Sequence, residues 1–380
     1  MSDRYRICSR CIMDTSDPDI QFDEEGICNH CHMMDDRSKF YVRPESIKKE
    51  QLDRIVKDIK KKGQGKKYDC IIGVSGGTDS TFVAYKVKEF GLRPLAVHLD
   101  NGWDSEISVS NIENALRTLK IDLFTYVIDW EEFKDIQIAF LKASTPDIEI
   151  PTDHAIFPLL RKVAAEENVE YIIDGVNWAT ETIMPRAWSQ GYSDWKYIKN
   201  VHKVFGKLKI RTFPHYTLWN LIYYKRIKRQ INISLLNYFN YNKGEAQEIL
   251  AREVGWRDYG GKHYESIFTQ FYQAYILPNK FGFDKRRAHL STLINTGQIS
   301  REEALREMDK DLYPKDLLNQ HKEYVLKKLG LTNLEFEQMM ATPPKTYKDY
   351  KGRSKRDIEM LENMIFKKLI KFYRLLNPKK

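Results

Sequence analysis

The chain has 380 residues, 42% of them apolar, and a formal net charge of +9. That length buries a proper core and suggests two or three domains. The opening MSDRYRICSRC has no apolar h-region, and no stretch approaches about eighteen uncharged apolar residues. No signal peptide and no membrane span are therefore expected, and a cytoplasmic location is the default expectation.

The first element is a cysteine module over residues 1–40. Four of the five cysteines fall here, as Cys8-x2-Cys11, sixteen residues, then Cys28-x2-Cys31. In a reducing compartment such clustering favours metal over disulfides. Two Cys-x-x-Cys knuckles at this spacing form a zinc ribbon, in which four thiolates leave Zn2+ no open coordination position, so the ion is read as structural. PDIQFDEEGICNHC reads as a hairpin around Glu25 and Gly26, and His30 and His32 as bystanders to the last knuckle.

Residues 41–66 read as a helical linker. Within them PESIKKEQLDRIVKDIKKKG places Ile47, Leu52, Ile55, Val56 and Ile59 on one side of a charged helix.

From 67 to 215 strands and helices alternate. The strands are YDCIIGV, RPLAVHLD, DLFTYVID and VEYIIDG; the helices are TFVAYKVKEFG, SVSNIENALRTLK and HAIFPLLRKVAAEEN. Alternation at these lengths predicts an α/β fold, an open parallel sheet with helices on both faces and ligands beyond the carboxyl ends of the strands. SGGTDS, Asp100-Asn101-Gly102 and Asp174-Gly175-Val176-Asn177 all fall at such ends.

IIGVSGGTDS, residues 71–80, is a strand, a glycine turn and a helix N-terminus, which together make an anion site. Ser75 and Ser80 offer hydroxyls, and Gly76 and Gly77 offer N–H groups. Asp79 either holds Mg2+ or orders the loop. The Gly-Lys-Ser/Thr ending of a Walker A loop and the G-x-G-x-x-G pattern are both absent.

Residues 216–380 read as a helical substrate or partner domain, punctuated by Pro278, Pro314 and Pro343-Pro344 and ending in the amphipathic SKRDIEMLENMIFKKLIKFYRLL. The basic character of the chain is concentrated across the domain boundary. From Trp195 to Gly244 there is no acid and there are eleven Lys or Arg, which leaves the remainder at −2. FGKLKIRTFPHYTLWNLIYYKRIKRQINISLLNYF interleaves that charge with aromatics. One reading packs Leu218, Trp219, Ile222, Tyr223, Ile227 and Ile231 inward; the other makes the segment a dock for an anionic sugar, an acidic partner surface or the inner leaflet of a membrane.

S-G-G-x-D-S after the first strand resembles the pyrophosphatase-loop (PP-loop, adenine nucleotide alpha-hydrolase-like) ATP-dependent ligases. In that family the loop grips the β,γ-pyrophosphate of ATP while a substrate oxygen attacks the α-phosphate, and a nitrogen or sulfur nucleophile then displaces AMP. The resemblance implies that Ser75, Gly76, Gly77, Thr78, Asp79 and Ser80 bind pyrophosphate, and that Asp100, with Asn101, Gly175 and Asn177 at the other strand ends, lies near ATP. CSRCIMDTSDPDIQFDEEGICNHC and GWRDYGGKHYESIFTQFYQAYILPNKFGFDKRRAHLSTLINTGQISREEAL are similar, further, to N-acetyl sugar amidotransferases of bacterial surface-polysaccharide pathways. That family is taken to convert a sugar acetamido group into an acetamidino group with ATP and ammonia.

Such chemistry develops charge on the α-phosphate, which Mg2+ and a Lys or Arg should meet. Lys262 and the triplet Lys285, Arg286 and Arg287 are the basic candidates for phosphate or sugar contacts, with His263 beside them. Glu265 or Glu181 is the candidate base for incoming ammonium. No cysteine is left for a glutaminase, since Cys70 lies in the first strand as a buried structural thiol. Ammonia then comes from solution or from a separate glutaminase subunit, which the resemblance pairs with a cyclase-like barrel. The rival is a tRNA-thiolating PP-loop enzyme, whose sulfur chemistry needs free cysteines in the catalytic domain; nucleic acid is therefore not expected as a partner.

Overall fold

A computed structural model describes residues 5–260 and 264–352. Lys262, His263 and the C-terminal amphipathic stretch lie outside the described residues.

After the cysteine module come α1 (Asn29–Tyr41) and α2 (Glu45–Lys62). Then β1 (Cys70–Gly73), α3 (Thr78–Glu89), β2 (Pro94–Asp100), α4 (Glu106–Leu119), β3 (Asp122–Val127), α5 (Trp130–Ala143), α6 (Ile150–Glu166) and β4 (Tyr171–Asp174) alternate. They are followed by α7 (Trp178–Glu181), α8 (Trp195–Phe205), α9 (Leu218–Ile222), a π-helical turn Tyr223–Ile227, β5 (Ile231–Ser234) and α10 (Lys243–Val254). The rest is helical: α11 (Ile267–Phe271) running into a π-helical stretch Tyr272–Phe281, α12 (Arg286–Asn295), α13 (Arg301–Met308), α14 (Lys315–Leu329) and α15 (Asn333–Ala341).

The five strands form one parallel sheet in the order β3-β2-β1-β4-β5. Because side chains alternate along a strand, Ile71 and Ile172 meet α6 residues Leu159, Leu160 and Val163 on one face. Ile72 and Ile173 face α2, α3, α4 and α10 on the other, where Ile59, Val83, Ile112 and Leu250 are buried. β3 is an edge strand, and its Leu123, Phe124 and Val127 are exposed. Among the described residues, no helix is long and apolar enough to cross a membrane.

Three features differ from the sequence reading. The sheet passes the boundary at 215, because β5 adds to β4 through Ile231–Ser234 and α10 then packs under the sheet beside α3. Four residues inside a basic, aromatic run are too short to announce a strand. α5 stands in a stretch given no element, and it supplies what the acid-free segment lacks. Asp135 accepts from the backbone N–H groups of Lys207 and Leu208 at 2.9 Å and from His202 Nε2 at 2.8 Å. Glu132 accepts from the backbone of Arg211, Thr212 and Phe213. The inward packing expected of residues 218–231 also fails. In α9 only Leu221 is buried, whereas Trp219 is 79% exposed and Ile227 69%.

Candidate active site

Parallel pairing places the ends of β1, β2 and β4 at one edge of the sheet, and a cavity of about 400 Å3 opens there. Its floor is the loop after β1. Gly76 has φ +76°, and a Cβ there would stand 2.4 Å from the carbonyl oxygen of Ser108, so only glycine fits. Its own carbonyl accepts from Trp256 Nε1 at 2.9 Å. The loop closes on itself: Ser75 Oγ accepts from Gly77 N at 3.4 Å, and Ser80 Oγ accepts from Ser75 N at 3.3 Å while donating to the Gly77 carbonyl at 3.2 Å. Thr78 opens α3, whose first-turn N–H groups have no partner within the helix. The result is a cradle of hydroxyls and amides at the positive end of a twelve-residue helix, suited to phosphate oxygens.

Among the described residues, Tyr241 and Asn177 hold Asp79 in the first turn of α3. Tyr241 donates its hydroxyl hydrogen to Oδ1, and Asn177 Nδ2 lies 3.5 Å from Oδ2. Asn177 also caps α7, accepting from Thr180 N at 2.9 Å. A Cβ on Gly175 would come within 3.1 Å of the Asp79 backbone, so this glycine permits β4 and α3 to close up.

Of the residues proposed from sequence, Ser75, Gly77, Thr78, Asp79, Ser80, Asn101, Gly175, Glu181, Glu265 and Lys285 all line the cavity. Gly76, Asp100 and Asn177 stand just behind it; the Asp100 carboxylate accepts from Gly102 N at 2.8 Å. Glu265 arrives from the helical region because its strand-like segment is pinned to the loop after β2. Its carbonyl accepts from Ser105 N at 2.8 Å, and Ile267 N donates to the Trp103 carbonyl at 2.9 Å.

The basic triplet splits. Lys285 faces the cavity, but Arg286 and Arg287, proposed as substrate contacts, are engaged elsewhere. Arg286 binds Asp284 and the carbonyls of Glu307 and Lys310 at the end of α13. Arg287 pairs with buried Asp14 at 2.9 Å and donates to the Ile12 carbonyl at 2.9 Å, clamping the cysteine module onto α12. Consecutive residues at the start of a helix point in different directions, so one charged run serves three places.

The cavity also holds groups that the sequence did not single out. Glu149, 8% exposed, accepts from Thr269 Oγ1 at 2.7 Å through Oε2, while Oε1 has no hydrogen-bond partner. Burial pushes its pKa up to about 8, with Asp153 and Asp147 adding repulsion and Lys285 opposing. Asp153, one turn further along α6, is exposed to the open cavity, where the surrounding protein and the charge of Asp147 raise it to about 7. Burial likewise brings Asp174 to about 6. His98 presents both ring nitrogens to acceptors, Nδ1 to the Val74 carbonyl and Nε2 to Asp104, each at 3.0 Å. Burial opposes its charge, but the Asp104 contact prevails and the pKa rises. Lys243, the first residue of α10, completes the lining. Seven carboxylates against two lysines make this an acidic cavity, receptive to phosphates accompanied by a divalent cation or to a small cation.

The cysteine module lies in the wall of the same core. All four cysteines are fully buried, with their sulfurs within 4.8 Å of one another. The S···S separations of 3.7, 3.8 and 3.9 Å are far beyond a disulfide bond. Four sulfurs at about 2.3 Å from a tetrahedral Zn2+ would be about 3.8 Å apart, so the donor set fits that ion. Cys8 Sγ accepts from Cys11 N at 3.4 Å and Cys28 N at 3.3 Å, contacts that stabilise thiolate. His30 and His32 bind Asp17 and Asp23 instead. Cys70 is buried in β1, and burial pushes its thiol far up.

Residues 265–365 match the family described as LPS biosynthesis protein WbpG-like, C-terminal domain. The match begins within the stretch that carries the sequence resemblance to proteins of bacterial surface-polysaccharide pathways, and its LPS-biosynthesis description agrees with that resemblance. An uncharacterized protein of Methanocaldococcus jannaschii is 26% identical over 321 residues, 82% of this chain and 95% of its own length. Among solved structures, the NH3-dependent NAD synthetase from Campylobacter jejuni is 16% identical with a TM-score of 0.30, covering 75% of this chain and 97% of its own. The NMN synthetase from Francisella tularensis is 13% identical with a TM-score of 0.31 over the same shares. Likeness at that level says nothing about activity.

Proposed function

We propose that this chain, whose C-terminal region resembles WbpG-like LPS biosynthesis proteins, is an ATP-dependent amidotransferase acting on an acetamido group of a sugar or nucleotide sugar. The observation that carries the reading is the glycine cradle at the α3 N-terminus opening into a cavity built partly by that C-terminal region, through Glu265, Ser266, Thr269 and Lys285. Phosphates and acceptor would meet between the two.

An amide carbonyl is a poor electrophile and its oxygen a poor leaving group. Attack of that oxygen on the α-phosphate of ATP expels pyrophosphate and gives an O-adenylated imidate. Ammonia then adds to the imidate carbon and AMP leaves, so that amide, ATP and ammonia yield amidine, AMP and pyrophosphate. In this scheme the loop from Ser75 to Ser80 retains the departing pyrophosphate, and Lys243 and Lys285 are the described lysines in reach of developing negative charge. Asp79 and Asp174 are the carboxylates suited to Mg2+, which when bound would neutralise phosphate charge. The proton of incoming ammonium needs a carboxylate whose pKa is lifted toward neutrality; Glu149 and Asp153 meet that condition and join Glu265 and Glu181, which line the same cavity, as candidates. The four-cysteine site would hold Zn2+ as a structural ion.

The rival, thiolation of tRNA, is disfavoured by cysteine placement: four thiols are gathered in the four-cysteine cluster, the fifth is buried in β1, and none lines the cavity. A separate glutaminase subunit would be the source of ammonia. The test is AMP formation by the purified chain with Mg2+-ATP and an acetamido sugar nucleotide. Ammonium at alkaline pH should support it and glutamine alone should not. AMP release with glutamine and no partner, or AMP release dependent on tRNA and independent of sugar, overturns the proposal.

A further inference from the structure

The acid-free segment leaves a stripe of apolar side chains in water. Trp219, Tyr223 and Ile227 recur at every fourth position through α9 and the π-helical turn, which keeps them on one side, and they are 79%, 44% and 69% exposed. Large apolar side chains in contiguous exposure mark an interaction surface, whereas single ones do not. The stripe is firmly mounted. Tyr216 packs on His154 with ring centres 5.0 Å apart, and Lys228 Nζ donates to the Ala165 carbonyl at 3.3 Å, so the segment follows the length of α6. Leu221 is the face that it buries.

The surroundings are cationic. Arg226 and Arg229 are exposed beside the stripe, and Lys207, Lys209 and Arg211 are exposed on the loop that leads into it. Glu132 and Asp135, which answer this segment from α5, are occupied by its backbone N–H groups rather than by its lysine and arginine heads.

We propose that the face formed by Trp219, Tyr223 and Ile227 is a peripheral docking surface for an anionic lipid bilayer, with the neighbouring arginines and lysines on the headgroups. Size and composition select this occupant. A stripe of three side chains spans about 12 Å along a helix, too small a core for a stable protein interface of roughly 800 Å2 per partner. Trp and Tyr suit the headgroup level, an aliphatic side chain the acyl boundary, and a polybasic flank supplies the second signal that stable membrane binding requires. The proposal does not depend on the reaction assigned to the cavity.

The test sediments the full chain with vesicles of phosphatidylglycerol and phosphatidylethanolamine, and separately with phosphatidylcholine vesicles. Expected are at least a tenfold preference for the anionic vesicles, its decline with added salt, and at least a tenfold loss in the variant W219S/Y223S/I227S. R226E/R229E should lose the anionic preference while keeping the wild-type circular dichroism and melting curve. Because all five positions are exposed, these variants should fold. The proposal is overturned if the wild type stays in solution with anionic vesicles, or if the triple variant sediments like the wild type. It is equally overturned if the wild type is a dimer that the triple substitution converts to monomer without any vesicle binding.

Discussion

Tyr241 donates its hydroxyl hydrogen to Asp79 from 162 residues away, joining the segment between β5 and α10 to the first turn of α3. Burial and the neighbouring carboxylate push the phenol far up, which keeps it a proton donor at any working pH. Replacing Tyr241 by Phe removes the hydroxyl that donates to Asp79 Oδ1 and keeps the Asn177 contact. A hydrogen bond to a charged group is worth about 1.5–3 kcal/mol, so Tyr241→Phe should weaken Mg2+-ATP binding about tenfold or more with the fold intact. Isothermal titration with ATP checks this; unchanged affinity would show that Asp79 is positioned without the phenol.

Gly76 is the most constrained residue of the loop. Gly76→Ala would force a Cβ to 2.4 Å from the Ser108 carbonyl at a φ of +76°. Strain of this kind costs about 1–3 kcal/mol before the clash is counted. The melting temperature should fall and ATP should no longer protect the protein against heat. A melting curve with and without Mg2+-ATP measures both.

Removal of metal should loosen more than the first forty residues. Arg301 donates to the carbonyls of Cys8 and Cys11, Ser291 Oγ accepts from Ile12 N, and Arg287 grips Asp14, so α12 and α13 are built against the knuckles. Metal analysis should find one Zn2+ per chain. Chelation, or Cys28→Ser, should lower the melting temperature of the whole protein. A variant that lost zinc with an unchanged melting curve would contradict a structural ion.

Glu149 and Asp153 make stability depend on pH in a definite direction. Their carboxyls are raised from ordinary values of 4.5 and 3.8 to about 8 and 7. Each therefore favours the folded state in its protonated form. That contribution is complete below the ordinary value and is lost as pH climbs through the raised one, so stability should decline from about pH 4 to pH 8. Glu149→Gln should flatten the curve and at pH 8 should be worth at least about 1 kcal/mol relative to its effect at pH 5, one pKa unit being 1.36 kcal/mol. Urea unfolding at the two pH values gives the difference. If Glu149 also receives the ammonium proton, the same variant should raise the ammonium KM while leaving the ATP KM unchanged.

The residues whose roles follow from local covalent pattern were legible in the sequence. Four cysteines at knuckle spacing can converge on one point with only a hairpin between them, and they do. A strand that breaks into Ser-Gly-Gly-Thr-Asp-Ser and resumes as a helix has one economical conformation, and the Gly76 turn and the α3 N-terminus adopt it. Residues at strand carboxyl ends share an edge in any parallel sheet, which is why Asn101 and Gly175 could be named beside the loop. Glu149 and Asp153 carried no such signal. Acids at the start of a helix are ordinary favourable partners of its dipole, and nothing local distinguishes a carboxylate that will line a cavity from one on the outer surface.

The sequence by itself thus determined the α/β order, the glycine turn ahead of α3 and the gathering of four sulfurs, because each depends on neighbours close along the chain. Only the tertiary structure decided which charges matter. Lys285 reaches the cavity while Arg286 and Arg287 are drawn to a helix end and to Asp14. Trp219 and Ile227 stay in water where helical spacing suggested burial. The physical reason is common to both: a charge or an apolar side chain acquires its role from the dielectric and the partners around it, and those come from other elements, from α13 for Arg286 and from the cysteine module for Arg287.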